Sequence, residues 1–165
     1  MKHVSHDPRR PGRTDHRAVD SHTAPYAIFA LRLALGIVFI AHALMKLLVF
    51  TLPGTAAFFA TAGFPGWTAY PVFAAELLGG IALIVGVQAR WMAIGLVPVM
   101  IGAFMVHAPN GWAFNAPNGG WEYVAFLIAA LVTQAGVGDG AFALSPSRLP
   151  GALGRQTAST SLAAR

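Results

Sequence analysis

The chain places ionisable side chains inside stretches otherwise apolar enough to cross a membrane. Ala27 to Phe50 reads AIFALRLALGIVFIAHALMKLLVF, 24 residues broken only by Arg32, His42 and Lys46. Pro71 to Val87 is interrupted only by Glu76. A charge at the centre of a membrane helix costs about 2.5–3.5 kcal/mol, so such groups face a partner or a wet cavity. Their types point to proton chemistry. Imidazole and carboxyl groups take up and release protons, and an ammonium stabilises a developing oxyanion. His42 and Glu76 are therefore candidates to relay protons to a bound carrier. Lys46 is a candidate to donate to a carbonyl or its reduced anion.

Depth decides which of these side chains meet. At 100° per residue, Arg32, His42 and Lys46 fall within a sector of about 80°, which must face the bundle interior. Arg32 lies about 21 Å along the axis from Lys46, so it belongs to another layer. The next apolar run travels the opposite way and brings Glu76 to the depth of His42. His107 ends the third run and Glu122 begins the fourth. The expected ligand-binding pocket is thus His42, Lys46, Glu76, His107 and Glu122, with Arg32, Asn110 and Asn118 in a further layer. Each residue also has a plainer reading. Lys46 and Arg32 can snorkel to the interfaces. Glu122 suits the first turn of a helix, and the turn after His107 can satisfy that imidazole. Glu76 can form a structural ion pair.

Composition fits a multi-pass membrane protein. Of 165 residues, 56% are hydrophobic and 10% charged, and the mean hydropathy is +0.60. A water-soluble domain carries about 25% charged residues. The net charge of +5 does not form a nucleic-acid surface, because nine of the eleven Lys and Arg flank the apolar runs. The chain has no cysteine, which excludes thiolate metal sites, cysteine-held clusters and dithiol chemistry. No metal site is expected. The first apolar run is too long for a signal-peptide core.

The elements that must position the site are four spans, expected near 26–50, 69–87, 90–107 and 121–137. The fold class read from this pattern is all-α, a polytopic four-helix membrane bundle over 25–138. Residues 1–24 read as a disordered basic tail, and 139–165, rich in Gly, Ser, Pro and Arg, as a mobile tail. The N-terminal tail, the link holding Arg90 and the C-terminal tail share nine Lys and Arg, whereas loops 51–68 and 108–120 have none. Positive-inside asymmetry then puts both termini in the cytoplasm. Trp67, Tyr70, Trp112, Trp121 and Tyr123 mark the outer interface.

Three local features refine this arrangement. Thr55 to Gly63 reads as a short interfacial helix capped by Thr55. The near-repeat Ala108-Pro-Asn-Gly-Trp112 and Ala116-Pro-Asn-Gly-Gly-Trp121 favours tight turns that fold the loop back over the bundle mouth. Ala75, Gly79, Ala82 and Gly86 form a small-residue stripe for close helix approach. Gly95 and Gly102 are read as packing positions flanking a kink at Pro98.

These residues carry a family resemblance. Arg32-Leu-Ala-Leu-Gly36, His42, Lys46-Leu47, Gly63-Phe-Pro65, Glu76-Leu-Leu-Gly-Gly80 and Gly86 with Arg90 resemble the DoxX family of four-helix membrane proteins. Val106-His107-Ala-Pro-Asn-Gly111 and Asn118-Gly-Gly-Trp-Glu122-Tyr123 are similar to its bacterial inner-membrane members. The resemblance covers about residues 28–145. It implies a bundle in the bacterial cytoplasmic membrane. The name-giving member of the family is the membrane subunit of a thiosulfate:quinone oxidoreductase, and other branches serve oxidant defence or membrane-protein assembly. Where a relative's role depends on cysteines, this chain departs from it.

The first functional reading is a membrane component of a redox system that binds a quinone-like carrier. It has no electron-transfer cofactor of its own, so it needs an electron-donating partner subunit. A second is haem held by His42 and His107, a weak signal from two histidines on two spans. The alternative from another class is a non-catalytic small-molecule carrier or assembly factor. Apart from the partner subunit, membrane lipids are the expected surroundings.

Overall fold

A computed structural model describes residues 20–148. It is all-helical, with no strand among the described residues. Helix α1 spans Ala24–Leu48, α2 Leu52–Thr61, α3 Ala69–Val85, α4 Ala89–His107 and α5 Glu122–Val137, with short 3₁₀ turns at Gly66–Thr68 and Ala108–Asn110. Three segments, Ala24–Leu48, Gly66–Val85 and Ala89–Asn110, are long and apolar enough to cross a membrane. Helix α5 has 16 residues, or about 24 Å, and is the shortest of the four long helices.

Each boundary follows from local sequence. Pro25 sits in the first turn of α1, where its missing N–H costs nothing. Helix α2 is the short helix expected between the first two spans, but its cap is Thr51 rather than Thr55. The Thr51 hydroxyl accepts from the Gly54 N–H at 3.2 Å. Thr55 lies inside the helix and donates to the Thr51 carbonyl at 2.9 Å. Helix α3 stops at Gly86, whose φ of 73° is the left-handed cap conformation that glycine adopts without strain. Helix α4 runs unbroken through Pro98.

Helix α1 packs most extensively on α3, and α4 on α5; smaller α3–α4 and α1–α5 contacts complete the bundle. The core holds Leu35, Phe39, Leu83, Ala93, Leu96, Met100, Leu127 and Leu131. Only small residues let α1 and α3 approach so closely. A Cβ at Gly36 would stand 2.7 Å from the Gly80 carbonyl oxygen, and one at Gly80 would stand 2.9 Å from that of Gly36. The expected stripe is used differently along its length. Gly79 packs on Leu96, and Gly86 lies against Arg32 and Ala143. Gly95 and Gly102 are not packing positions, because a Cβ at either would meet nothing within 4 Å.

The end of the chain that reads as a mobile tail is ordered over 139–148. Ala141 N–H donates to the Pro25 carbonyl at 2.9 Å, Leu144 N–H to Val85 at 3.2 Å and Ser145 N–H to Gly86 at 3.0 Å. The reason is Arg32. Its side chain is fully buried, and Nη2 donates to the carbonyls of Ala141 at 3.1 Å and Phe142 at 3.4 Å. The guanidinium also stacks over Phe29, 5.3 Å from the ring centroid. The remainder of the two expected tails, 1–19 and 149–165, lies outside the described residues.

Candidate functional site

The residues expected to share a pocket separate into three arrangements at one end of the bundle. The first is an ion pair between α1 and α3. Lys46 Nζ lies 2.6 Å from Glu76 Oε2, and the two side chains are 16% and 3% exposed. Glu76 projects from the middle of α3 into the interface with α1, where Gly80 lets the two backbones come close. The second Glu76 oxygen and two Lys46 protons make no hydrogen bond within the described residues, so the pair keeps capacity to engage another polar group.

His42 lies one turn before Lys46 on α1. Its Nδ1 donates to the Val38 carbonyl at 2.8 Å. A carbonyl only accepts, so Nδ1 carries a proton, and in the neutral ring Nε2 presents its lone pair. The ring stacks on Tyr123 of α5, with centroids 6.3 Å apart and planes 22° apart. The sequence marks Tyr123 as an interface aromatic, not as the partner of His42.

The third arrangement is the α4–α5 loop. His107 Nδ1 donates to the Gly119 carbonyl at 3.0 Å. Asn110 Nδ2 donates to the carbonyls of Asn118 at 3.1 Å and Gly119 at 3.0 Å. Trp121 N–H donates to Gly111 at 3.1 Å and Glu122 N–H to Trp112 at 3.0 Å. The two Pro-Asn-Gly segments are therefore laced to each other. Trp112 and Trp121 meet edge to face at 4.5 Å. Gly120 is required here, because a Cβ would stand 2.2 Å from the Ala113 carbonyl oxygen.

Glu122 departs from its expected place in the pocket. Its Oε1 accepts from the Phe114 N–H at 2.9 Å, so the carboxylate holds the loop. No hydrogen bond or ion pair joins His42, His107 or Glu122 to the Lys46–Glu76 pair. Arg32 stands apart at the opposite end of α1, under residues 141–142. Among the described residues no three His, Asp or Glu side chains converge as a metal site.

An open cleft of about 360 Å³ lies between α2 and this loop, lined by Phe58, Thr61, Ala62, Val106, His107, Asn110 and Asn118. Its size falls within the roughly 300–1,000 Å³ of small-molecule sites. Sequence reasoning named His107, Asn110 and Asn118 but missed Phe58 and Thr61. The interfacial helix that carries them was the available signal.

The DoxX family model matches residues 27–108. A Bacillus subtilis (strain 168) protein named "Putative oxidoreductase CatD" is 35% identical over 75 residues, covering 46% of this chain and 54% of that protein. The chain thus spans about half the length of that curated relative. No solved structure matches the chain. The matched stretch takes in α2, α3 and α4 whole and all but the first turn of α1, with Arg32, His42, Lys46, Glu76 and His107, and on this footing the chain belongs to the DoxX family.

Proposed function

We propose that this protein is the membrane component of a redox system that binds a quinone-like, lipid-soluble carrier. The observation that carries this reading is the Lys46–Glu76 pair, 2.6 Å apart and embedded between two membrane helices. Ionised groups are costly at that depth, and proton relays are among the uses that retain them. Reducing a quinone to a quinol consumes two electrons and two protons. Glu76 and His42, through its Nε2, take up protons and pass them on to the carrier, and Lys46 donates to a quinone oxygen. The chain has no cysteine and no nucleotide-binding fingerprint, so the electrons come from a partner subunit. The name of the Bacillus subtilis relative agrees with redox chemistry. In this reading the protein sits in the bacterial cytoplasmic membrane with both termini inside. The His107 end then faces outward.

The test is a thermal-melt series of wild type, Glu76→Gln, Lys46→Met and the double variant, with and without a short-chain quinone. Quinone should stabilise wild type and lose its effect in Glu76→Gln. No quinone effect in any variant, with wild-type stability restored in the double variant, would leave the pair as structure alone.

A further inference from the structure

The polar side chains that line the His107 cleft have an unusual common property: three of the four have spent their donors on backbone carbonyls. His107 uses Nδ1–H on Gly119, which in the neutral ring leaves Nε2 as an acceptor. Asn110 uses Nδ2 on Asn118 and Gly119, which leaves Oδ1. Thr61 donates its hydroxyl proton to the Phe58 carbonyl at 2.8 Å, which leaves its oxygen lone pairs. Only the Asn118 amide has a donor to offer. The remaining lining, Phe58, Ala62 and Val106, is apolar and aromatic.

A site of acceptors selects a ligand that donates. We propose that this cleft binds a small aromatic ring bearing hydroxyl groups, and discriminates against the same ring carrying carbonyls. The inference rests on the redox reading above and deepens it: the cleft takes the reduced, quinol form of the carrier. A quinone presents two acceptor oxygens, which would face the free lone pairs of His107, Asn110 and Thr61 unpaired. A quinol presents two O–H donors to the same atoms, with its ring against Phe58. An ammonium ligand is a poorer match. The lining holds no carboxylate to offset the desolvation of a cation, and the nearby Glu122 carboxylate is engaged by the Phe114 N–H.

The test measures binding, without turnover, to the full chain in lipid nanodiscs, with empty nanodiscs as the blank. The probes are tetramethylhydroquinone under anaerobic reducing conditions, tetramethylbenzoquinone, and the dimethyl ether of the hydroquinone. Ring methyl groups prevent addition to nucleophilic side chains. One or two net hydrogen bonds predict that the hydroquinone binds about tenfold more tightly than either of the others. Thr61→Val and His107→Leu should each reduce that preference, and Thr61→Val leaves the loop's own hydrogen bonds intact. The imidazole nitrogen resonance of His107 should move with the hydroquinone and not with its dimethyl ether. Glu76→Gln should keep the preference. Equal affinity for the three probes would overturn the proposal, as would a preference that survives both cleft variants or disappears in Glu76→Gln. If quinone fails to stabilise any member of the Glu76 series while the hydroquinone preference stands, the redox reading falls and the cleft remains a hydroxyl-selective site.

Discussion

Lys46 and Glu76 close on each other across the α1–α3 interface, one carboxylate oxygen 2.6 Å from the ammonium. They stand thirty positions apart in the chain, and among the described residues each gives the other its only charged partner. Removing one partner of such a pair leaves a charge without compensation. Replacing both with apolar groups removes the desolvation cost as well.

Lys46→Met should therefore destabilise the protein by about 3–5 kcal/mol, whereas Lys46→Met with Glu76→Leu should return it to near wild type or above. Unfolding of the four-member cycle in one detergent measures the coupling. A pair worth nothing would give additive changes.

The backbone approach of Gly36 and Gly80 should be equally sensitive. Gly80→Ala places a methyl 2.9 Å from the Gly36 carbonyl oxygen and 3.1 Å from the Ile40 nitrogen, so the helices must part, at a cost of about 1–3 kcal/mol. Gly95→Ala and Gly102→Ala meet nothing within 4 Å and should stabilise by about 0.5–1 kcal/mol through helix propensity. Parallel melting curves of the three variants distinguish the two kinds of glycine.

Much of this was legible in the sequence, and the parts that were not share a cause. The four long helices, and Glu76 reaching the half of the first one that holds His42 and Lys46, follow from hydropathy and helical rise. So does the interfacial helix between the first two spans, though not its cap at Thr51. What composition does not show is a backbone carbonyl acting as a partner. Arg32 Nη2 finds its acceptors in the carbonyls of Ala141 and Phe142, inside a stretch whose Gly, Ser and Pro content reads as mobile, while Nε and Nη1 have no partner among the described residues. Glu122 and His107 are likewise engaged by the backbone of their own loop. The pocket expected from five side chains therefore resolves into an ion pair, a stacked histidine and a loop-bound cleft. Gly36 and Gly80 outrank the regular stripe for a related reason: helix contact depends on where the backbones cross.

The arginine contact carries its own prediction. Ending the chain at Asp139 removes both carbonyl acceptors of the Arg32 guanidinium, so folded protein recovered from membranes should fall severalfold. Arg32→Met in the same truncated chain should recover a large part of that loss, because no charge is then stranded. Equal loss with and without the arginine would show that the 140–145 segment contributes through its other contacts.

Orientation is tested with single cysteines in this cysteine-free chain. A membrane-impermeant thiol reagent should label Asn115→Cys in intact cells and should reach Ser145→Cys only after permeabilisation. The reverse pattern would invert the proposed topology.

The hydrogen bonds from Arg32 to Ala141 and Phe142 span 109 and 110 positions, and they tie the first span to nearly the last described residues. A ribosome makes Arg32 long before it makes those carbonyls. During synthesis the first span must therefore wait at the membrane with its guanidinium held by water or lipid head groups. Burial of Arg32 becomes affordable only after α5 has emerged and residues 140–142 follow it. Completion of the last helix, rather than insertion of the first, is then the event that commits α1 to its final depth. An unfinished chain would retain an accessible arginine by which quality-control proteases could recognise it.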